Sequence, residues 1–157
     1  MPDGQLQSTE CSAATLNDAA DHEPDGVYTV SRTFRRTQAL LLDAHLDRIE
    51  ESARLEKIPL QLDRHALRSA LYTLIEQSGF SDSRFRITIP RDNPRQIYFA
   101  LEFLSPIPDS VRKGGVKVAS IRARRNNPVA KITAWMRQRK VVTGDLPADI
   151  YQAMLVN

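Results

Sequence analysis

A lysine amine is a nucleophile only after it loses its proton. Burial beside apolar groups, or next to other cations, lowers its pKa and frees the lone pair. Lys131 is the residue of this chain best placed for such chemistry. It lies in Asn126-Asn127-Pro128-Val129-Ala130-Lys131-Ile132-Thr133-Ala134-Trp135. Val129, Ala130 and Ile132 supply apolar neighbours, and Arg124 and Arg125 supply nearby charge. Covalent capture of a carbonyl is the reaction this setting would serve. The same spacing also suits a surface lysine, so both readings stay open on spacing alone.

Lys131 sits inside a longer basic stretch. From Arg112 to Lys140 the chain holds ten Lys or Arg residues and no Asp or Glu. Such a run can attract phosphate. The formal net charge is only +3, however, and the first 26 residues are acidic. That asymmetry favours an anionic ligand over general stickiness. Trp135 is the only aromatic in the stretch, and no recognition helix or nucleic-acid module is apparent, so nucleic acid is not expected. The alternative reading is a non-catalytic domain that binds an anionic ligand or nucleic acid through residues 112–140.

Other chemistries find no support. The sequence has no phosphate-binding Walker motif, no Gly-x-Gly-x-x-Gly and no Gly-x-Ser-x-Gly. His22, His45 and His65 lack ligand spacing, and Cys11 is the only cysteine. No metal site and no intrachain disulfide are expected. No apolar run reaches the roughly 18 residues of a membrane span, and Met1 to His22 lacks the pattern of a secretory signal. A cytoplasmic location is the expectation.

The elements that must position Lys131 read as follows. Residues 1–24 are predicted to be a disordered tail, from their Ser, Thr, Asp, Gln and Ala content. Val27 to Phe34 reads as a strand, and Gln38 to Leu42 as its returning partner. Asp43 is the expected N-cap of a helix from Ala44 to about Glu56, with Leu46, Ile49 and Ala53 on one face. Asp63 caps a second helix carrying Leu67, Ala70, Leu71, Leu74 and Ile75, which Gly79 stops. The period then falls to two. Phe85, Ile87 and Ile89, then Ile97, Phe99, Leu101 and Phe103, predict an antiparallel hairpin with one apolar face. Gly115 to Ile121 reads as a strand, Ala130 to Val141 as a helix with Trp135 in the core, and Ile150 to Val156 as a last strand, left unpaired by anything after it. The expected class is α+β: a small, mostly antiparallel sheet with two helices over residues 25–121. Residues 122–157 are then a linker and the first segment of an incomplete second domain.

Three segments carry a family resemblance. They are Asp25-Gly26-Val27-Tyr28-Thr29-Val30, Leu41-Leu42-Asp43-Ala44-His45-Leu46-Asp47-Arg48-Ile49-Glu50-Glu51-Ser52-Ala53, and Ile58-Pro59-Leu60. Together they resemble the fold-type IV, or class IV, pyridoxal-phosphate (PLP) enzymes, which include branched-chain and D-amino acid aminotransferases and aminodeoxychorismate lyase. The family opens on a Gly-Val-aromatic strand and continues with a helix bearing His-Leu-x-Arg-Leu-x-x-Ser-Ala. Arg124 to Thr133 resembles the stretch that leads to the family's Schiff-base lysine. Tyr151-Gln152-Ala153-Met154-Leu155 is similar to the following strand, where the family has Tyr-Glu-Ala-Leu-Leu.

The resemblance implies PLP as cofactor, with an amino acid and a 2-oxo acid as substrates of transamination, or a related lyase step. It implies that Lys131 is the cofactor lysine and carries the substrate's α-proton, that Arg48 binds the cofactor phosphate, and that Tyr28 lines the substrate side. A homodimer is the family's common state. The chain departs from the pattern after the lysine, with Ile132-Thr133-Ala134-Trp135 in place of Thr-Leu-Asn-Tyr, which leaves the substrate open. It also ends before the segments that in the family supply the acid facing the pyridine nitrogen and most of the phosphate turn. The expectation is a truncated chain that binds PLP weakly or not at all by itself.

Overall fold

The computed structural model describes residues 6–9, 13–124, 128–144 and 146–156. Arg125, Asn126 and Asn127 of the lysine segment, and Cys11, lie outside the described residues. The fold is α+β, as expected. Its main sheet has four antiparallel strands in the order β2-β1-β3-β4, formed by β1 (Gly26–Phe34), β2 (Gln38–Ala39), β3 (Ser83–Pro90) and β4 (Tyr98–Phe103). Helices α2 (Leu42–Leu55) and α3 (Arg64–Ser78) follow β2 and pack on one face. The remaining elements are α1 (Leu16–Ala19), α4 (Asp109–Gly114), α5 (Thr133–Thr143) and a separate parallel pair, β5 (Val118–Arg122) with β6 (Gln152–Val156).

Period-two alternation sets the register. Val27 pairs with Ile89, Thr29 with Ile87 and Ser31 with Phe85, so the apolar side chains of β3 all point the same way. They meet Leu46, Ile49 and Ala53 of α2 and Leu67, Leu71 and Ile75 of α3 in one buried cluster. Each large side chain fully buried there stabilises by about 1.5–3 kcal/mol. At the surface, Arg64 of α3 bonds Asp47 (2.6 Å) and Glu50 of α2, and Arg68 bonds Asp43. Asp63 caps α3 by accepting from the Ala66 N–H at 2.9 Å, and Gly79 ends it in the left-handed conformation (φ 68°).

Several boundaries differ from expectation. The returning strand keeps only Gln38–Ala39, because Leu41 turns into the left-handed region (φ 48°) and α2 begins at Leu42. Leu41 is therefore the N-cap residue, without a side-chain bond. Asp43 sits in the first helical turn, where its carboxylate suits both the helix dipole and Arg68. The last strand is paired, to β5, in parallel register. α4 was not foreseen in the sequence; Pro108 precedes it and Gly115 closes it.

The largest difference is at the N-terminal end. Part of the stretch read as a disordered tail is folded onto the sheet. Leu16 and Ala20 are buried, and the Leu16 N–H donates to Glu102 at 2.6 Å. Glu23 enters a buried ion pair with Arg86, whose side chains are 8% and 2% exposed. This segment and α5 cover the sheet face opposite α2 and α3. That cover explains why β3 is buried on both faces from Phe85 to Pro90. Polar composition hid the segment because Leu16 and Ala20 make only a small apolar anchor and the Glu23–Arg86 pair is ionic.

Candidate active site

Lys131 is held where β1 has a free edge. Arg32 and Tyr28 point backbone groups toward the same side of that strand. The Arg32 carbonyl accepts from the Leu40 N–H at 2.9 Å, continuing the β2 pairing. Further along, the Tyr28 N–H donates to the Lys131 carbonyl at 3.0 Å, and Val27 bridges Ile132. The chain around Lys131 thus takes up the edge that the short β2 leaves open. One residue on, the Thr133 hydroxyl accepts from the buried Gly26 N–H at 2.9 Å. Gly26 has no room for a side chain: a Cβ there would lie 1.9 Å from the Ile89 carbonyl oxygen. Glycine lets β1, β3 and the lysine segment meet at this point.

Helix α2 supplies the second wall. His45, Arg48 and Ser52 stand at i, i+3 and i+7, one stripe of the helix. The Ser52 hydroxyl accepts the Lys131 backbone N–H at 3.1 Å. His45 Nδ1 lies 2.8 Å from the hydroxyl of Thr29, a residue buried in β1. The His45 pKa falls below its usual value, first because burial disfavours the charged ring, and then because Lys131 and Arg48 repel a further positive charge. Both cations therefore act on one half-buried imidazole. The Lys131 Nζ lies 4.8 Å from the centroid of the Tyr28 ring, within cation–π range.

Of the three residues singled out in the sequence, Lys131 stands over Tyr28, while Arg48 is exposed on α2 and shares with Lys131 an electrostatic effect on His45. The shelter around Lys131 is only partly as expected. Ala130 is fully buried and Ile132 packs against the core, but Val129 is 65% exposed and offers no cover. Trp135 is buried, as expected. Sequence reasoning overlooked His45, Thr29, Ser52 and Thr133 as parts of the site. His45 lacks metal-ligand spacing, but its i, i+3 relation to Arg48 is visible in the sequence.

The donor set suits a phosphorylated aldehyde. A guanidinium binds phosphate in a planar, bidentate way, an amine can capture an aldehyde carbon, and an aromatic face borders the amine. No cluster of three metal-ligating side chains occurs among the described residues. No helix among them is long and apolar enough to cross a membrane.

Residues 26–157 match the family described as amino-transferase class IV. The chain belongs to the class IV aminotransferase family. No curated protein sequence matches it. Among solved structures, a hypothetical aminotransferase from Mycobacterium tuberculosis, in the form with α-ketoglutarate and PMP bound, superposes with a TM-score of 0.68 at 20% identity. That match covers 98% of this chain and 60% of the other. The PLP-bound form of the same protein gives 0.66 at 20% identity, with the same coverages. The 4-amino-4-deoxychorismate lyase from Pseudomonas aeruginosa gives 0.60 at 22% identity, covering 99% of this chain and 60% of the lyase. At these identities the likeness establishes the class IV fold. This chain spans 60% of the length of each of these proteins.

Proposed function

We propose that this chain carries the lysine side of a PLP site that serves transamination between an amino acid and a 2-oxo acid, or a related lyase step. The observation that carries the reading is the fixed Lys131 backbone, held between Ser52 and Tyr28, with its amine over an aromatic ring and facing an arginine-bearing helix stripe. PLP, when bound, supplies an electron sink for charge that develops at the substrate's α-carbon.

The chain's own residues then divide the work. Arg48 would hold the phosphate through its guanidinium. The Lys131 amine would take the cofactor's aldehyde carbon and afterwards carry the α-proton at Nζ. The Tyr28 ring would bound the substrate side and limit the directions the lysine can take. His45, its pKa lowered by burial and by two nearby cations, leaves the phosphate charge to Arg48 and can offer a ring nitrogen as a further hydrogen-bonding group.

Titration with PLP followed by borohydride reduction and peptide mapping tests this reading. Selective labelling at Lys131, absent in Lys131→Ala, is expected. Arg48→Ala should lower that labelling roughly tenfold to a hundredfold at a given PLP concentration, from about 1.5–3 kcal/mol for a charge-assisted hydrogen bond. Labelling spread evenly over the lysines would overturn the proposal.

The basic-surface alternative gains no comparable support. Arg137 and Lys140 pair with Asp25 and Asp21, and Lys117 pairs with Asp149. Three cations of the stretch therefore already meet carboxylates of this chain.

A further inference from the structure

We infer that Ser52 is a positioning residue, which locks the backbone of Lys131 to the same helix that presents Arg48. The inference rests on the reading that Lys131 captures the cofactor's aldehyde. It adds a residue whose role is to set the distance between that amine and the phosphate-binding arginine.

Ser52 is 1% exposed and lies inside α2, where a serine hydroxyl has no helix-forming purpose of its own. Its oxygen accepts the Lys131 N–H at 3.1 Å, a contact spanning 79 positions of sequence. The Lys131 carbonyl is held from the other side by the Tyr28 N–H at 3.0 Å. Both polar groups of this residue's backbone are thus fixed, one by α2 and one by β1. A lysine side chain has four rotatable bonds, so a stationary Cα is a precondition for a defined Nζ position.

The spacing within α2 gives the contact its meaning. Arg48 and Ser52 are four residues apart, close to one turn, which corresponds to roughly 6 Å along the helix axis. One turn of α2 therefore relates the phosphate-binding residue to the anchor of the amine. The Tyr28 and Gly26 bonds tie the lysine segment to β1, and the Ser52 contact ties the same residue directly to α2.

The test uses two readouts on the same three proteins: wild type, Ser52→Ala and Ser52→Thr. The first is amide hydrogen exchange by NMR without any cofactor. Ser52→Ala should exchange its Lys131 amide at least tenfold faster, with the amides of β1 and β3 unchanged, and Ser52→Thr should restore protection by returning a hydroxyl. The second is borohydride trapping with PLP and with pyridoxal, which lacks the phosphate. Ser52→Ala should lose about tenfold of its Lys131 labelling by PLP and much less of its labelling by pyridoxal, since only PLP requires the arginine and the amine at a set separation.

Unchanged Lys131 protection in Ser52→Ala overturns the inference whatever PLP does. Loss of protection throughout β1 and β3 also overturns it, because Ser52 would then be a general core residue. An equal fall in labelling by both aldehydes counts against the distance-setting role. If wild type itself shows no selectivity for Lys131, the functional proposal fails, and the exchange experiment still decides the Ser52 contact.

Discussion

Replacing Glu23 by alanine tests whether the N-terminal segment belongs to the folded unit. Glu23 accepts from Arg86 Nε with both oxygens at 2.9 Å, from Arg86 Nη2 at 2.6 Å and from the Thr88 hydroxyl at 2.6 Å. Without it, the Arg86 guanidinium keeps, among the described residues, the Leu16 carbonyl at 2.7 Å and the Met136 sulfur at 3.1 Å. A cation that is 2% exposed would lose its only counter-charge in this contact set. Breaking such a buried pair costs about 3–5 kcal/mol, a large share of the roughly 5–15 kcal/mol that holds a domain together. At about 2–4 °C per kcal/mol for a chain of this size, the melting temperature should fall by roughly 6–20 °C. Urea denaturation gives the free energy directly, and the m-value should stay constant if the same surface unfolds. The double variant Glu23→Leu with Arg86→Met should recover much of the loss, because no charge is then left buried. The Thr88 hydroxyl and Leu16 carbonyl would still lack their partners, so recovery should be incomplete. A Glu23→Ala protein within about 1 kcal/mol of wild type would refute the reasoning, and would mean that Arg86 is hydrated and the segment detached.

Two further perturbations address the lysine segment. Thr133→Val leaves the buried Gly26 N–H without its acceptor and should cost about 1–3 kcal/mol in urea denaturation, whereas Thr133→Ser should keep most of the stability. The His45 pKa is lowered in the folded chain from a usual 6.5, so on acidification the unfolded chain takes up the proton first. Stability from this group should therefore be complete above about pH 6.5 and decline as pH falls below it toward the folded pKa. His45→Gln should flatten that part of the profile, and an unchanged slope would show that the imidazole is not disfavoured in its charged form.

Much of the fold was legible because its signals are periodic. The 3.6-residue repeat of α3, its Asp63 cap and Gly79 stop, and the alternation of Phe85, Ile87 and Ile89 each arise from local sequence. The α2 boundary was not, since Leu41 adopts a left-handed conformation that its side chain gives no reason to expect. The N-terminal cover was invisible for another reason. Asp21, Glu23 and Asp25 look like a solvated acidic tail until Lys140, Arg86 and Arg137 are placed opposite them, more than sixty residues later in the chain. In the site, the residue types of Lys131, Arg48 and Tyr28 could be singled out from sequence. Ser52 and Thr133 could not, because their importance lies in backbone hydrogen bonds between distant segments.

The charge pattern of the chain takes on a different sense once these contacts are placed. An acidic first segment and a basic second half look like a dipolar surface built for an external anion. In the folded chain the two ends meet: Asp21 and Asp25 take up Lys140 and Arg137 of α5, while the Glu23 carbonyl accepts from Arg137 at 3.3 Å. α5 begins two residues after Lys131, so the acidic segment helps hold the helix that follows the lysine. Each exposed pair contributes little by itself, and salt weakens it further. Their combined effect is chiefly positional. Arg137 and Lys140 of α5 are drawn toward the N-terminal segment, whereas the Lys131 amine stands over Tyr28 and acts on His45. A run of like charge in the sequence thus includes cations that secure the framework and one that enters the candidate site. Neither the count of basic residues nor their density along the chain could separate the two groups; the partner across the fold does.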